Sequence, residues 1–174
     1  MTDFTKIAYL KNGNLKQKRA FEVLTHYKVL ENLAEFDALI TGTIPINIDI
    51  DGSDLDIICY WKNKTYFIEK VKLLFQKYNG FWIKENIINA QESVVASFRL
   101  DEFEIEIFGQ NIPTQNQNAY KHMVVEAKIL RSKGENFRVE IIKLKQNGHK
   151  TEPAFALLLG LKGNPYEELL SYEV

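Results

Sequence analysis

Two segments of this chain, residues 53–61 and 103–108, place apolar residues at every second position. The apolar residues with this spacing are Leu55, Ile57 and Cys59 in the first segment and Ile105 and Ile107 in the second. Because successive side chains of a β-strand point to opposite faces, the spacing predicts two strands of a half-buried sheet. The chain must therefore fold around a sheet that has one face in the core and one face free to carry polar groups.

Helical spacing of apolar residues surrounds these strands and predicts an α+β fold. A strand over residues 36–40 precedes the first alternating segment, and a strand over 93–100 forms a hairpin with the second through Asp101 and Glu102. Helices are predicted over residues 15–33, 67–78, 120–130, 137–144, 154–161 and 166–170. We expect a single domain over residues 1–174, with a small mixed sheet and flanking helices in residues 1–111 and a helical C-terminal part in residues 112–174.

Composition and charge limit the classes of partner and compartment. The chain has 174 residues, with 22 Lys and Arg against 23 Asp and Glu. A protein that binds long nucleic acid needs a basic excess, which this balance does not provide. The single cysteine, Cys59, cannot form an intramolecular disulfide, and the longest apolar stretch, residues 154–161, is too short to span a bilayer. We therefore expect a cytoplasmic protein with no membrane partner.

The segment over residues 41–58 carries the residues with the clearest chemistry. Asp54 and Asp56 are two positions apart, so a strand would hold both carboxylates on one face, about 7 Å apart. Two neighbouring carboxylates repel each other unless a divalent cation neutralises them, which favours Mg²⁺ or Mn²⁺. Upstream, Gly42 and Thr43 can bring backbone N–H groups and a hydroxyl close to a phosphate. We assign these two residues, together with Ser53, to the binding of a nucleoside triphosphate.

A third acid is available on the second alternating strand, where Glu104 and Glu106 share a face. If this strand lies beside the strand of Asp54 and Asp56, one glutamate can complete a site for two metal ions. Two ions held by carboxylates suit an in-line displacement at a nucleoside triphosphate. We prefer Glu106, because a polar loop that can border a cleft follows its end of the strand. Asp49 is expected in a flexible loop.

These residues resemble a known superfamily. Gly42-Thr43, followed by Asp54-Leu55-Asp56 and an acid on a later strand, is similar to the nucleotidyltransferase signature, a Gly-Ser followed by an Asp-x-Asp. Across residues 41–59, 108–110, 117–123 and 150–156, the chain resembles the bacterial family known as domain of unknown function 4269. The resemblance implies a nucleotidyltransferase-type fold. It also implies that the two aspartates bind Mg²⁺, that Glu106 or Glu104 is a further ligand or base, and that Gly42 and Thr43 hold the triphosphate.

Two functions remain open on the sequence. The first is a Mg²⁺-dependent transferase that moves a nucleotidyl group from a nucleoside triphosphate to a hydroxyl of a small molecule or a protein. The second is a nucleotide-binding or regulatory module without catalysis, for instance one partner of a toxin–antitoxin pair, because a chain of this size leaves few residues for an acceptor pocket. Of the three histidines, only His122 follows a polar loop that can border the cleft. We predict structural or surface positions for all three.

Overall fold

The computed structural model describes residues 2–88 and 90–173. The chain begins with a short 3-10 helix, Ala8–Asn12, followed by helices α1 (Leu15–His26) and α2 (Val29–Asn32). The side chain of Asn14 accepts a hydrogen bond from the Gln17 N–H group, and the Gln17 side chain accepts one from the Asn14 N–H group, which fixes the start of α1. The prediction of one helix over residues 15–33 is wrong, because Lys28 adopts a left-handed conformation (φ 52°) and separates α1 from α2.

Five strands form one mixed sheet in the order β1-β2-β5-β4-β3. The strands are β1 (Leu39–Thr41), β2 (Leu55–Tyr60), β3 (Trp82–Ile88), β4 (Gln91–Leu100) and β5 (Phe103–Gln110). Strands β2 and β5 are parallel, and the other neighbouring pairs are antiparallel. The predicted α+β architecture with a small mixed sheet is confirmed.

Two strands differ from the sequence prediction. The predicted strand over residues 36–40 is shorter and later, because Ala34–Phe36 is a 3-10 helix and Asp37 turns the chain with φ 50° before β1. Strand β3 was not predicted. Its residues are nearly all exposed, so neither face imposes an apolar residue at every second position.

One face of the sheet forms the larger hydrophobic core. Helix α3 (Lys64–Phe75) packs there together with α1. Phe75 of α3 stacks on Phe98 of β4, with 4.7 Å between the ring centroids. Cys59 is fully buried in this core, as expected for a packing residue. The alternating apolar residues of β2 and β5 therefore point to this side, and their polar neighbours point to the opposite face.

Four helices follow the sheet and form a second core. They are α4 (Asn118–Lys133), α5 (Glu135–Gln146), α6 (Thr151–Leu159) and α7 (Pro165–Leu170). Ile46 and Ile48, from the loop between β1 and β2, lie inside this second core. In residues 2–88 and 90–173, no helix combines the length and the apolar character that crossing a membrane requires.

The loop over residues 42–54 is held from two sides. From α1, the Gln17 side-chain amide donates a hydrogen bond to the Ile44 carbonyl oxygen at 2.9 Å. From α5, Lys145 Nζ donates a hydrogen bond to the Ile48 carbonyl oxygen at 2.6 Å. Asp49, which was expected in a flexible loop, instead forms an ion pair with a lysine of α1. The loop thereby connects the sheet core to the helical core.

Candidate metal and nucleotide site

The structure places Asp56 and Glu106 side by side. They are register partners on the neighbouring parallel strands β2 and β5. Both side chains lie on the sheet face opposite the larger core and are half-buried. The strand that carries Glu104 and Glu106 is therefore the neighbour of the strand that carries Asp56, as a shared site requires.

The remaining predicted acids lie further along the same face. Asp54 precedes the first residue of β2 and lines a separate cleft with Glu104 and Ser53. Glu104 is exposed and accepts a hydrogen bond from the Ser97 hydroxyl at 2.9 Å. The Ser53 hydroxyl oxygen accepts a hydrogen bond from the Ile50 N–H group at 2.9 Å, so it stabilises a turn of its own loop.

Gly42 lies directly against Asp56. Its φ of +79° is in the left-handed region, and a Cβ atom at this position would overlap Oδ2 of Asp56. Gly42 and Thr43 line the same cavity as Asp56 and Glu106. The end of β1 thus supplies a close backbone wall beside the two carboxylates.

The cavity has a volume of about 450 Å³ and lies between the sheet and the first turns of α4 and α6. Side-chain amides and apolar groups form much of its wall, including Phe108, Gln110, Ile112, Gln117 and Met123. Its described lining contains four carboxylates, those of Asp56, Glu106, Glu126 and Glu152, and no lysine or arginine. Its size suits a small-molecule ligand, whereas its charge requires a cation before a phosphate can bind.

Burial and mutual repulsion raise the pKa values of the carboxyl groups on the sheet. The pKa of Asp56 is raised to about 7, mainly by burial and then by the charges of Glu106 and Asp54, while the charge of Lys145 acts in the opposite direction. Burial and the charge of Asp54 raise the pKa of Glu106. Burial, followed by the charge of Glu104, raises the pKa of Asp54. A nearby positive charge would therefore stabilise the ionised form of each of these carboxyl groups.

The donor set of Asp56 and Glu106 fits a hard divalent cation. Carboxylate oxygens are the ligands that Mg²⁺ takes in protein sites together with phosphate oxygens. The adjacency of the two carboxylates and their raised pKa values leave a cation as the group that best compensates them. Asp54 lies one residue upstream of β2 and adds negative charge to the same region.

A second group of possible ligands lies on the opposite wall of the cavity. His122 and Glu126 of α4 and Glu152 of α6 place one ligand atom each within 4.8 Å of one another. Sequence reasoning considered His122 but missed both glutamates, and its prediction of a structural or surface role did not foresee this cluster. The four-residue spacing of His122 and Glu126 predicts that both side chains lie on the same face of a helix. Glu152 comes from a distant segment, so no spacing in the sequence predicts that it lies beside them.

Several solved structures have a fold similar to that of this chain. A cytoplasmic RNA terminal U-transferase matches with a TM-score of 0.51 and 13% identity, over 82% of this chain and 43% of that one. The Cid1 poly(U) polymerase bound to Mg 3'-dATP matches with a TM-score of 0.55 and 12% identity, over 95% and 52% of the two chains. The GLD-2/RNP-8 complex matches with a TM-score of 0.54 and 13% identity, over 88% and 61%. The chain therefore has the nucleotidyltransferase fold and spans about half the length of these three matched chains.

The family follows from the sequence itself. A family described as "Domain of unknown function (DUF4269)" matches residues 22–172, and the chain belongs to this family. No curated protein matches the chain. The resemblance noted from the sequence is confirmed for both the superfamily fold and the family.

Proposed function

We propose that the protein is a nucleotidyltransferase that requires Mg²⁺ or Mn²⁺ and moves a nucleotidyl group from a nucleoside triphosphate to a hydroxyl of a small molecule or a protein. The observation that carries the proposal is the register pairing of Asp56 with Glu106 at one wall of the cavity, where Gly42 lies against Asp56. Asp54, Asp56 and Glu106 are the proposed metal ligands, with Glu104 in a minor role. Gly42 and Thr43 are the proposed triphosphate contacts. Ser53 contributes through the loop that positions Asp54.

The proposed reaction is an in-line displacement at the α-phosphorus. The acceptor hydroxyl gives its proton to a carboxylate, and its oxygen forms a bond to the α-phosphorus. The bond from that phosphorus to the oxygen bridging the α- and β-phosphates breaks, and pyrophosphate leaves with the electron pair. Bound Mg²⁺ would neutralise charge on the phosphate oxygens. Glu106, which is half-buried beside Asp56, is the proposed third carboxylate, either as a ligand of the ion or as the base that takes this proton.

The triphosphate assignment is supported by relatives of the same fold. Cid1 poly(U) polymerase has been solved with MgGTP bound. For the acceptor, we favour a compact molecule over a long nucleic acid, since the net charge is -1 and the described cavity wall has no lysine or arginine. We propose that residues 1–111 and 112–174 act as one domain, because the cavity lies between them. The cytoplasm, which keeps Cys59 reduced and supplies nucleotides, is the proposed compartment.

Calorimetric titration with ATP, GTP, CTP and UTP in excess Mg²⁺ tests the proposal. We expect at least one nucleotide to bind, and we expect Asp56→Asn to remove that binding. The absence of binding for all four nucleotides would refute the proposal that the protein is a nucleotidyltransferase. A stoichiometric partner purified with the protein, without metal-dependent turnover of labelled triphosphate in its presence, would instead identify a regulatory module.

A further inference from the structure

We infer that His122, Glu126 and Glu152 form a second cation site, which binds a divalent transition-metal ion such as Zn²⁺ on the wall of the cavity opposite Asp56 and Glu106. This inference goes beyond the proposed function and does not depend on it. It rests on the placement of three side chains from two helices, on the burial of the histidine, and on the charge of the cavity.

The three side chains converge from two helices. His122 and Glu126 are one turn apart on α4, so they point from the same face of that helix. Glu152 lies in the first turn of α6 and reaches the same point. One ligand atom from each residue lies within 4.8 Å of the other two. Ligands at about 2 Å from a tetrahedral ion are separated by about 3.3 Å, so modest side-chain rotations would close the site around an ion.

The imidazole of His122 supplies an independent indication of a ligand. The residue is only 6% exposed, and its Nδ1 atom is buried without a hydrogen-bond partner among the described residues. A buried polar nitrogen without a partner is unfavourable, and in native proteins such an atom calls for an explanation. The ring packs against Tyr166 in a T-shaped arrangement, and the residue lines the cavity beside both glutamates, so a metal ion is the partner that these surroundings can provide.

The ligand types select the class of ion. An imidazole nitrogen suits Zn²⁺ and other first-row transition ions, whereas Mg²⁺ prefers oxygen ligands only. Three protein ligands leave one position open in a four-coordinate site. Because all three residues line the cavity, this position would face the ligand space and accept an oxygen atom of a bound molecule.

The charge of the cavity gives such an ion a role. Carboxylates stand on both walls and the described lining contains no lysine or arginine, so Lys145, outside the lining, is the basic residue whose charge acts on Asp56, Glu126 and Glu152. An ion at His122, Glu126 and Glu152 would supply positive charge on the helical wall, whereas an ion bound by the acids of the sheet would lie on the opposite wall. An anionic group of a ligand could then be held at both ends of the cavity.

Metal titration of the purified protein tests the inference without any activity assay. The background is the Asp54→Asn, Asp56→Asn double variant, which removes two of the three carboxylates of the proposed magnesium site and leaves Glu106. We expect this variant to bind one Zn²⁺ per chain by calorimetry and to give a Co²⁺ absorption band typical of nitrogen and oxygen ligation. His122→Gln and Glu152→Gln should each weaken binding by at least about tenfold. His149→Gln, which changes an exposed histidine, is the matched control and should leave binding unchanged.

A folding control keeps the result interpretable. Circular dichroism of the metal-free variants establishes that each is folded, and Glu152→Gln provides a half-buried alternative if the buried His122→Gln fails to fold. The absence of stoichiometric Zn²⁺ or Co²⁺ binding would overturn the inference. So would binding that persists in both folded variants, because the ion would then lie elsewhere. Neither result depends on whether the protein binds nucleotides.

Discussion

The backbone of Gly42 packs directly on the carboxylate of Asp56, and a single methyl group on Gly42 would occupy the position of Asp56 Oδ2. The glycine of the signature is therefore required for two reasons. Its φ of +79° suits glycine, and its missing side chain leaves the space that the carboxylate fills. The residue that follows β1 and a residue on β2 thus depend on each other for their positions.

The variant Gly42→Ala tests this dependence. Strain from the positive φ should cost about 1 kcal/mol of folding free energy, and displacement of the Asp56 carboxylate should also remove Mg²⁺-dependent nucleotide binding. Gly52→Ala is the matched control, because Gly52 has φ +80° and open space around it. It should show a similar loss of stability but retain binding. Equal nucleotide affinity of the two variants, measured by calorimetry, would contradict the role of Gly42.

Removing one charge from the carboxylate pair should separate function from stability. Asp56→Asn should abolish Mg²⁺-dependent nucleotide binding but leave the melting temperature of the metal-free protein unchanged or higher, because it relieves repulsion with Glu106 and Asp54. Thermal melts at neutral pH provide the measurement, and Asp51→Asn, at an exposed loop residue, is the control. A large decrease in melting temperature would mean that Asp56 is a structural residue.

The two glutamates of β5 should differ in importance. Glu106→Gln should reduce turnover by orders of magnitude, because Glu106 is the register partner of Asp56 and lines the cavity. Glu104→Gln should have little effect, because Glu104 is exposed and lines the separate cleft. Metal titrations and turnover of the two variants decide between them. Near-wild-type behaviour of both would place the third carboxylate elsewhere.

The raised pKa values predict that the metal-free protein is more stable in mild acid. Asp56 has a pKa of about 7 in the folded protein against 3.8 as its ordinary value, and Glu126 has one of about 8 against 4.5. Between about pH 5 and pH 7, Asp56 and Glu126 hold protons in the folded protein that the unfolded chain has lost, so they make the free energy of unfolding fall as the pH rises. Burial lowers the pKa of His122, which opposes these two groups with one proton.

Melting curves at about pH 5.5 and pH 8 check this sign. The melting temperature should be higher at the lower pH, and Asp56→Asn should reduce the difference. Saturating Mg²⁺ should also reduce it, because the cation stabilises the ionised carboxylates. A melting temperature that increases with pH in the metal-free protein would contradict the prediction.

The loop over residues 42–54 should be a major contributor to stability. Ile48 is fully buried in the helical core, so Ile48→Ala should cost about 2–5 kcal/mol of unfolding free energy. Ile50→Ala, two residues further along the same loop, changes a half-buried side chain and should cost clearly less. Denaturant unfolding of the two variants provides the comparison, and equal costs would mean that the loop does not anchor the helical core.

The sequence predicted the parts of this site that follow from short-range periodicity. Alternation assigned Asp56 and Glu106 to exposed faces of two strands, because each lies between apolar residues that enter the core. It did not establish that the two strands are neighbours, since strand pairing depends on contacts across the whole chain. The resemblance to the nucleotidyltransferase signature supplied this expectation instead.

The features that were not predicted from the sequence depend on long-range contacts or lie in segments whose side chains are exposed to solvent. Strand β3 has nearly all of its residues exposed and thus lacks an alternating pattern. The break at Lys28 left the helical spacing of the apolar residues largely intact, so periodicity extended one helix across it. Glu126 and Glu152 are 26 positions apart in the sequence, and only the packing of α4 near α6 brings them together.

The insertion of Ile46 and Ile48 into the helical core also limits how this architecture can be rearranged by recombination. A helical part taken from another protein would need a groove that fits these two isoleucines, and it would need a donor where Lys145 bonds the loop. An exchange at the boundary near residues 111–118 would leave the isoleucines exposed on one side and an empty groove on the other. The two parts are therefore expected to change together, as one inherited unit, although a polar connection in the sequence separates them.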